Sequence, residues 1–270
     1  MRRVPVFFVV LASIVIAVGL AWLVVSRADF GGSSRSERVT EVKALPPFQR
    51  IEISGLAEIV LVQGNKETIS IENPSRTGLT ASVEGDTLRI ARTDGRRWWH
   101  SLLGGGAGRT PRIVVTFKDL QHIASSGAVQ VRAAAVNIPD LRISSSGATS
   151  LKIDDLQART LRVSGSGAMT AELAGRVTDQ QVSISGAADY RAENLVSDSA
   201  TVTVSGAGVV IVHARQKLKA SISGAGSIEY LGDPDVEQRV SGAGRVKKRK
   251  ASETDPTRIA LLPDSRSINA

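Results

Sequence analysis

The chain contains no cysteine, which removes disulfide frameworks, cysteine-ligated zinc, a thiol nucleophile and a lipidated cysteine anchor from consideration. Aromatic residues are scarce, 4% of 270 residues against 42% hydrophobic residues overall. A core must therefore be built from Val, Ile, Leu and Ala, which suit narrow, regularly stacked interiors. Helical periodicity is missing from the body of the chain: from Phe48 onward apolar residues alternate with period two and are interrupted by Gly. The three histidines, His100, His122 and His213, do not form a zinc-ligand spacing such as H-E-x-x-H, so neither a metal nor a cofactor is expected.

What is present begins at the N-terminus. Met1-Arg2-Arg3 precedes a run without charge from Val4 to Ser26. As a helix this run would be about 33 Å long, enough to cross a bilayer core. It reads as an uncleaved anchor, and Ser26-Arg27-Ala28 also fits a small-x-small cleavage site. Under either reading Arg2 and Arg3 stay in the cytoplasm and everything after Ser26 is exported. The expected partner is thus the cytoplasmic membrane, and the expected location is the bacterial cell envelope, with the body on the periplasmic or outer side. Of the formal net charge of +8, three charges belong to Arg2, Arg3 and Arg27, and much of the rest sits in the run Arg245 to Lys250. The body is close to neutral, and a nucleic-acid partner is not expected.

Residues 29–46 are polar and rich in Gly and Ser, and read as a flexible linker. Beyond them the chain repeats itself. With the Gly of each Ser-Gly pair as an anchor, copies fall at Gly127, Gly147, Gly167, Gly186, Gly206, Gly224 and Gly242, with Gly55 an eighth copy upstream. The intervals from Gly127 onward are 18 to 20 residues. Ser precedes every anchor, and Ala follows every anchor except Gly55, where Leu56 stands. Positions four before the anchor (Ile51, Ile123, Ile143, Val163, Val182, Val202) and four after it (Ile59, Val131, Ala171, Tyr190, Val210, Ile228) share one parity, so they face one side of an extended chain. Arg132, Arg142, Lys152, Arg162 and Glu172 face the other.

A 20-residue unit cannot bury such a face alone, but stacked copies can. The expected fold is all-β: a single-stranded right-handed parallel β-helix of 18–20-residue coils, each about 4.8 Å above the last. The 72 residues from Gly55 to Gly127 amount to nearly four further coils with a weaker pattern (Ile69/Ile71, Ala81/Val83, Leu88/Ile90, Ile113/Val115/Phe117), interrupted by an excursion over residues 92–112. The domains follow: 1–28 anchor or signal, 29–46 linker, 47–246 β-helix, and 247–270 basic end and loose tail.

The strings FQRIEISGLAEIVLVQG, LRISSSGATSLKI, LRVSGSGAMTAEL and KASISGAGSIEYL resemble the putative auto-transporter adhesin, head GIN domain family over about residues 47–246. The resemblance implies a single-stranded right-handed β-helix and an adhesin-type role, and carries over no catalytic motif. Where family members often place Asp after Ser-Gly-Ser-Gly, this chain mostly has Ala or Gly, which makes it less acidic.

The serine column reads as a hydroxyl ladder in which each Ser bonds the next across paired strands. No His or Asp recurs beside it, so a serine nucleophile is not expected. The Gly-Gly-x-Gly-x-Asp calcium repeat is also missing: SGAG is followed by Val, Ser or Arg, and Asp189 is isolated. Asp140, Asp154 and Asp155 could be imagined as paired carboxylates, but no pattern gathers them. A non-catalytic chain is expected. The one candidate contact for a partner is Arg96, Arg97, Trp98 and Trp99, where two of three tryptophans sit between arginines and His100. The expected function is an exported binding or adhesion module for an envelope glycan or protein. The alternative is a structural scaffold assembling through its ends.

Overall fold

The computed structural model describes residues 40–72, 78–92 and 111–249. The anchor segment 1–28, most of the linker, the Arg96–Trp99 contact and the tail from Lys250 lie outside the described residues. Among the described residues the protein is all-β, and no helix is long and apolar enough to cross a membrane.

Strand β1 (Thr40–Ala44) is followed by β2 (Arg50–Gln63), β3 (Thr68–Glu72), β4 (Leu79–Glu84), β5 (Thr87–Arg92) and β6 (Arg112–Phe117). Then come β7 (His122–Ala133), β8 (Val136–Asn137), the long β9 (Asp140–Gly224), β10 (Ser227–Leu231), β11 (Asp235–Gly242) and β12 (Arg245–Lys248). The Ser-Gly copies stack as parallel rungs in register. Arg50 to Leu61 pair with His122 to Ala133, and these with Arg142 to Ile153, so that Gly55, Gly127 and Gly147 lie in one line. At the far end β11 pairs in parallel with β9, Gly242 opposite Gly224, and β12 pairs with β10. The sheet is not closed; its strand order runs from β1 to β12.

The anchor must be Gly for two reasons that Gly147 illustrates. Its φ of 109° is disfavoured for any residue with a Cβ. A Cβ there would also lie 2.5 Å from the carbonyl oxygen of Gly127 in the rung beside it. Backbone stacks on backbone at this corner, which leaves no room for a side chain.

The inward parity is buried as the alternation requires. Ile51, Ile59, Ile123, Val131, Val163, Ala171, Val202, Val210 and Ile228 belong to one continuous core. Some polar groups share it. Thr149 Oγ1 lies 2.7 Å from the Ser145 hydroxyl, which donates to it, and 3.0 Å from the Ser125 hydroxyl. Deeper, the Gln180 amide donates to the Tyr190 hydroxyl at 2.7 Å, and burial pushes the Tyr190 pKa up.

Three expectations are corrected. Between Gly55 and Gly127 there are not four coils, because their two rungs are direct neighbours. The intervening residues instead close the first end of the stack. β5 and β6 pair in parallel with the two halves of β2, on its other side. β4 adds antiparallel to β5, β3 to β6 and β1 to β3. Period-two alternation is common to parallel and antiparallel strands, so it cannot tell coils from a cap. The linker is shorter than composition implies: Thr40–Ala44 pair with Thr68–Glu72, and the Leu45 amide donates to the Glu67 carbonyl at 3.0 Å. The basic run starts inside the fold, since β12 continues the stack and the Arg249 amide still donates to the Tyr230 carbonyl.

Candidate recognition face

Just before each glycine corner, the outward parity presents three columns of side chains, five, three and one residue ahead of the anchor. The outermost column carries Arg50, His122 and Arg142 in register. The middle one runs Glu52, Ala124, Ser144. The last is the serine column, exposed at each of its eight positions.

The last two columns line a groove of about 610 Å³, formed by serines of four consecutive rungs and by Ser54. Arg89, Ile90 and Ala91 of β5 complete it. At that end Arg89 bridges Glu52 at 3.3 Å and Glu84 at 3.1 Å. β5 ends at Arg92, one residue beyond the groove-lining Ala91, and the segment with Arg96, Arg97, Trp98 and Trp99 follows in sequence from that rim.

The serines of the exposed column do not bond to one another. Among the described residues no hydrogen bond joins one to the next, which corrects the expected ladder. Rungs about 4.8 Å apart hold like atoms beyond hydrogen-bonding distance. The hydroxyl contacts lie one residue further in, at Ser125, Thr149 and Ser145. The column is consequently open to solvent, with donors and acceptors available.

One contact on this face escaped sequence reasoning. His122 Nε2 lies 3.0 Å from the Ser144 hydroxyl. The signal is a separation of 22 residues, one rung plus two, visible only once the register is known. Burial, then the charges of Arg142 and Arg50, hold the His122 pKa below its ordinary value, with Glu52 opposing. The imidazole is therefore neutral near pH 7. Among the described residues no group bonds its Nδ1, so the base of this pair lacks the orienting partner that serine nucleophiles use. His213 accepts no such role: its Nδ1 meets the Glu193 carbonyl at 3.3 Å, and its own carbonyl accepts from Ser197.

The acids singled out in the sequence do not converge. Asp140 accepts from Arg159 at 2.5 Å, and hydrogen bonds from Thr160 and Arg159 hold its carboxyl below the usual range. Asp154 lies 3.9 Å from Lys152, and Asp155 accepts from Gln157 at 2.7 Å. Asp189 is clasped by Arg191 through two bonds. Among the described residues no group of three or more His, Asp or Glu could hold a metal ion. A second groove of about 500 Å³ carries Arg159, Arg176 and Arg215. Two of these already have acids beside them, Asp140 for Arg159 and, at 3.9 Å, Asp198 for Arg215.

A family model described as putative auto-transporter adhesin, head GIN domain, matches residues 47–234. Comparison with curated proteins finds no match. Among solved structures, a putative adhesin from Bacteroides fragilis is 21% identical, with a TM-score of 0.71 over 81% of this chain and 100% of that one. A putative lipid binding protein from Parabacteroides distasonis is 20% identical, with a TM-score of 0.59 over 80% of this chain and 98% of that one. A putative adhesin from Parabacteroides merdae is 18% identical, with a TM-score of 0.58 over the same shares. At these identities the likeness is one of fold.

Proposed function

The chain belongs to the putative auto-transporter adhesin, head GIN domain family, and from that premise we propose that it is a non-catalytic recognition module of the cell envelope. In this reading its rungs wind as a single right-handed parallel β-helix. Residues 1–28 tether it to the cytoplasmic membrane, or are cleaved, and the β-body stands on the periplasmic or outer side. The observation that carries the reading is the outward face ahead of the glycine corners. It repeats with the rungs, leaves its serines free of one another, and surrounds a groove of about 610 Å³. Regular, solvated columns of this kind favour an extended ligand over a small substrate held in an enclosed pocket. Trp98 and Trp99, with Arg96 and Arg97, are a second candidate contact, read from the sequence alone.

The test is binding of the full chain to peptidoglycan, to soluble glycans and to vesicles, the last included because one structural relative carries a lipid-binding description. A Trp98→Ala/Trp99→Ala variant with unchanged far-UV circular dichroism runs beside it. Saturable binding supports recognition, and its loss in the variant assigns the contact to that segment. No binding to any of these materials contradicts the proposal.

A scaffold assembling through its ends is the second reading. It is favoured by the last rung, where β11 is largely exposed and Val240 is 45% exposed at the end of the stack. Concentration-dependent assembly in sedimentation would support it; a monomer at all concentrations would exclude it.

A further inference from the structure

The outermost column of the recognition face carries a basic side chain on four consecutive rungs, three of them arginine. Arg50 pairs with His122, and His122 with Arg142. Arg162 extends the line, five residues ahead of Gly167 as Arg142 is of Gly147, and Gly167 is seated against Gly147. In the next rung the position is Gln181, which accepts a hydrogen bond from Arg162 at 3.2 Å. At about 4.8 Å per rung, the four positions, with arginine at the first, third and fourth, span about 14 Å along the stack.

These charges are only partly answered. Arg50 has Asp86 at 3.4 Å, with both side chains more than half exposed. Glu52 is engaged by Arg89. Among the described residues Arg142 has no ion-pair partner. Burial lowers the His122 pKa first, and the charges of Arg142 and Arg50 on either side of it lower it further. Beside it run the serine columns, whose hydroxyls both donate and accept. None of the residues lining the groove is aromatic, so the face lacks the stacking platforms that single-stranded nucleic acids use. Its apolar lining is Ile53, Ile90, Ala91 and Ala124, of which the two large side chains, Ile53 and Ile90, are buried, so no large apolar side chain projects from the groove to enter a lipid interface.

We propose that this face binds an extended acidic polysaccharide, with its anionic groups along Arg50, Arg142 and Arg162 and its sugar hydroxyls along the serine columns. The inference rests on the recognition reading and supplies its ligand class. Repeating anions on a stiff chain match repeating cations on a stiff stack, and planar guanidinium groups suit carboxylate, sulfate and phosphate alike. His122 joins the line when it is protonated, facing Arg50 and Glu52 of β2 and Arg142 and Ser144 of β9.

The experiment titrates the full chain, in micelles of a zwitterionic detergent, with polygalacturonate and with neutral dextran. Phosphatidylglycerol doped into the micelles provides a third arm. Polygalacturonate should bind saturably, more weakly as salt rises, and dextran should not bind. An Arg142→Gln/Arg162→Gln variant should bind about tenfold more weakly, the scale expected when two exposed charge-assisted contacts are lost. Arg142→Lys/Arg162→Lys should retain most of the affinity, and Arg215→Gln, outside this face, all of it. Equal binding of dextran, full affinity in the double Gln variant, or binding to phosphatidylglycerol alone would overturn the acidic-glycan assignment and leave the recognition reading standing. Failure to bind polygalacturonate while peptidoglycan or another envelope material is captured has the same meaning. Failure with every material ends both.

Discussion

At the residue scale, two neighbours in the Ser-Gly pair have opposite sensitivities. Ser146 is exposed and bonded to no other column serine, so Ser146→Ala should change stability by less than about 0.5 kcal/mol. Gly147→Ala places a Cβ 2.5 Å from a backbone oxygen at φ 109°. It should cost more than about 2 kcal/mol, because strain and a forced shift of the adjoining rung combine. Urea unfolding of both variants checks this; equal effects would mean that the corner is not packed backbone on backbone. His122 yields a pH prediction. Its folded pKa is lowered from 6.5, first by burial and then by Arg142 and Arg50. The unfolded chain therefore takes up more protons as pH falls through 6.5, and this residue's contribution to stability, intact above that pH, declines toward the folded pKa. The fall in Tm between pH 7.5 and 5.5 should shrink in His122→Gln; an unchanged fall would contradict the direction.

At the element scale, the strands differ in how much of them was legible. Rungs from Gly127 onward could be read directly, because identical Ser-Gly-Ala corners mark the register and the positions four either side of each anchor mark the core. The antiparallel cap could not. Ile69/Ile71 and Leu88/Ile90 have the same alternation as a rung, and nothing local says which way the partner strand runs. β1 was hidden by a polar composition, since Glu41 and Lys43 alternate with residues of an edge strand that meets a partner on one side only. The site was legible to the extent that Arg142 and Arg162 were seen to point outward. The cation column required Arg50 and His122 to be neighbours, which the 72-residue insertion conceals, and the His122–Ser144 contact is a diagonal one, a rung plus two residues, that the in-line columns do not display. Edge position also sets dynamics. Amides of β11 and β12, exposed and at the end of the sheet, should exchange with deuterium well before those of β7 and the middle of β9, which have rungs on both sides. Uniform protection from end to end would contradict this ordering.

At the scale of the whole molecule, the recognition face exists only because the rungs share one register. Single rungs contribute isolated arginines and serines of no consequence; stacked, they form lines with a fixed spacing. Surface ion pairs such as Lys152–Glu172 at 3.1 Å and Lys247–Glu229 at 2.9 Å also link adjacent rungs. The Lys152–Glu172 pair is half exposed on both sides and adds little stability. The stack is held instead by its continuous aliphatic core and the backbone pairing between rungs. This arrangement makes the face stiff, and a stiff face suits an extended ligand because little ordering accompanies binding.

The most direct test of this account is a distance across the stack, and a chain without cysteine can be labelled at two introduced sites without background. Spin labels on Ser54→Cys and Ser241→Cys, both exposed, are seven rung steps apart when Gly55 neighbours Gly127, and should be separated by about 34 Å. If residues 56–126 wound as further coils, the separation would be about 48 Å. The shorter distance supports the shared register that aligns Arg50, His122, Arg142 and Arg162; the longer one would dissolve that line and the recognition face with it.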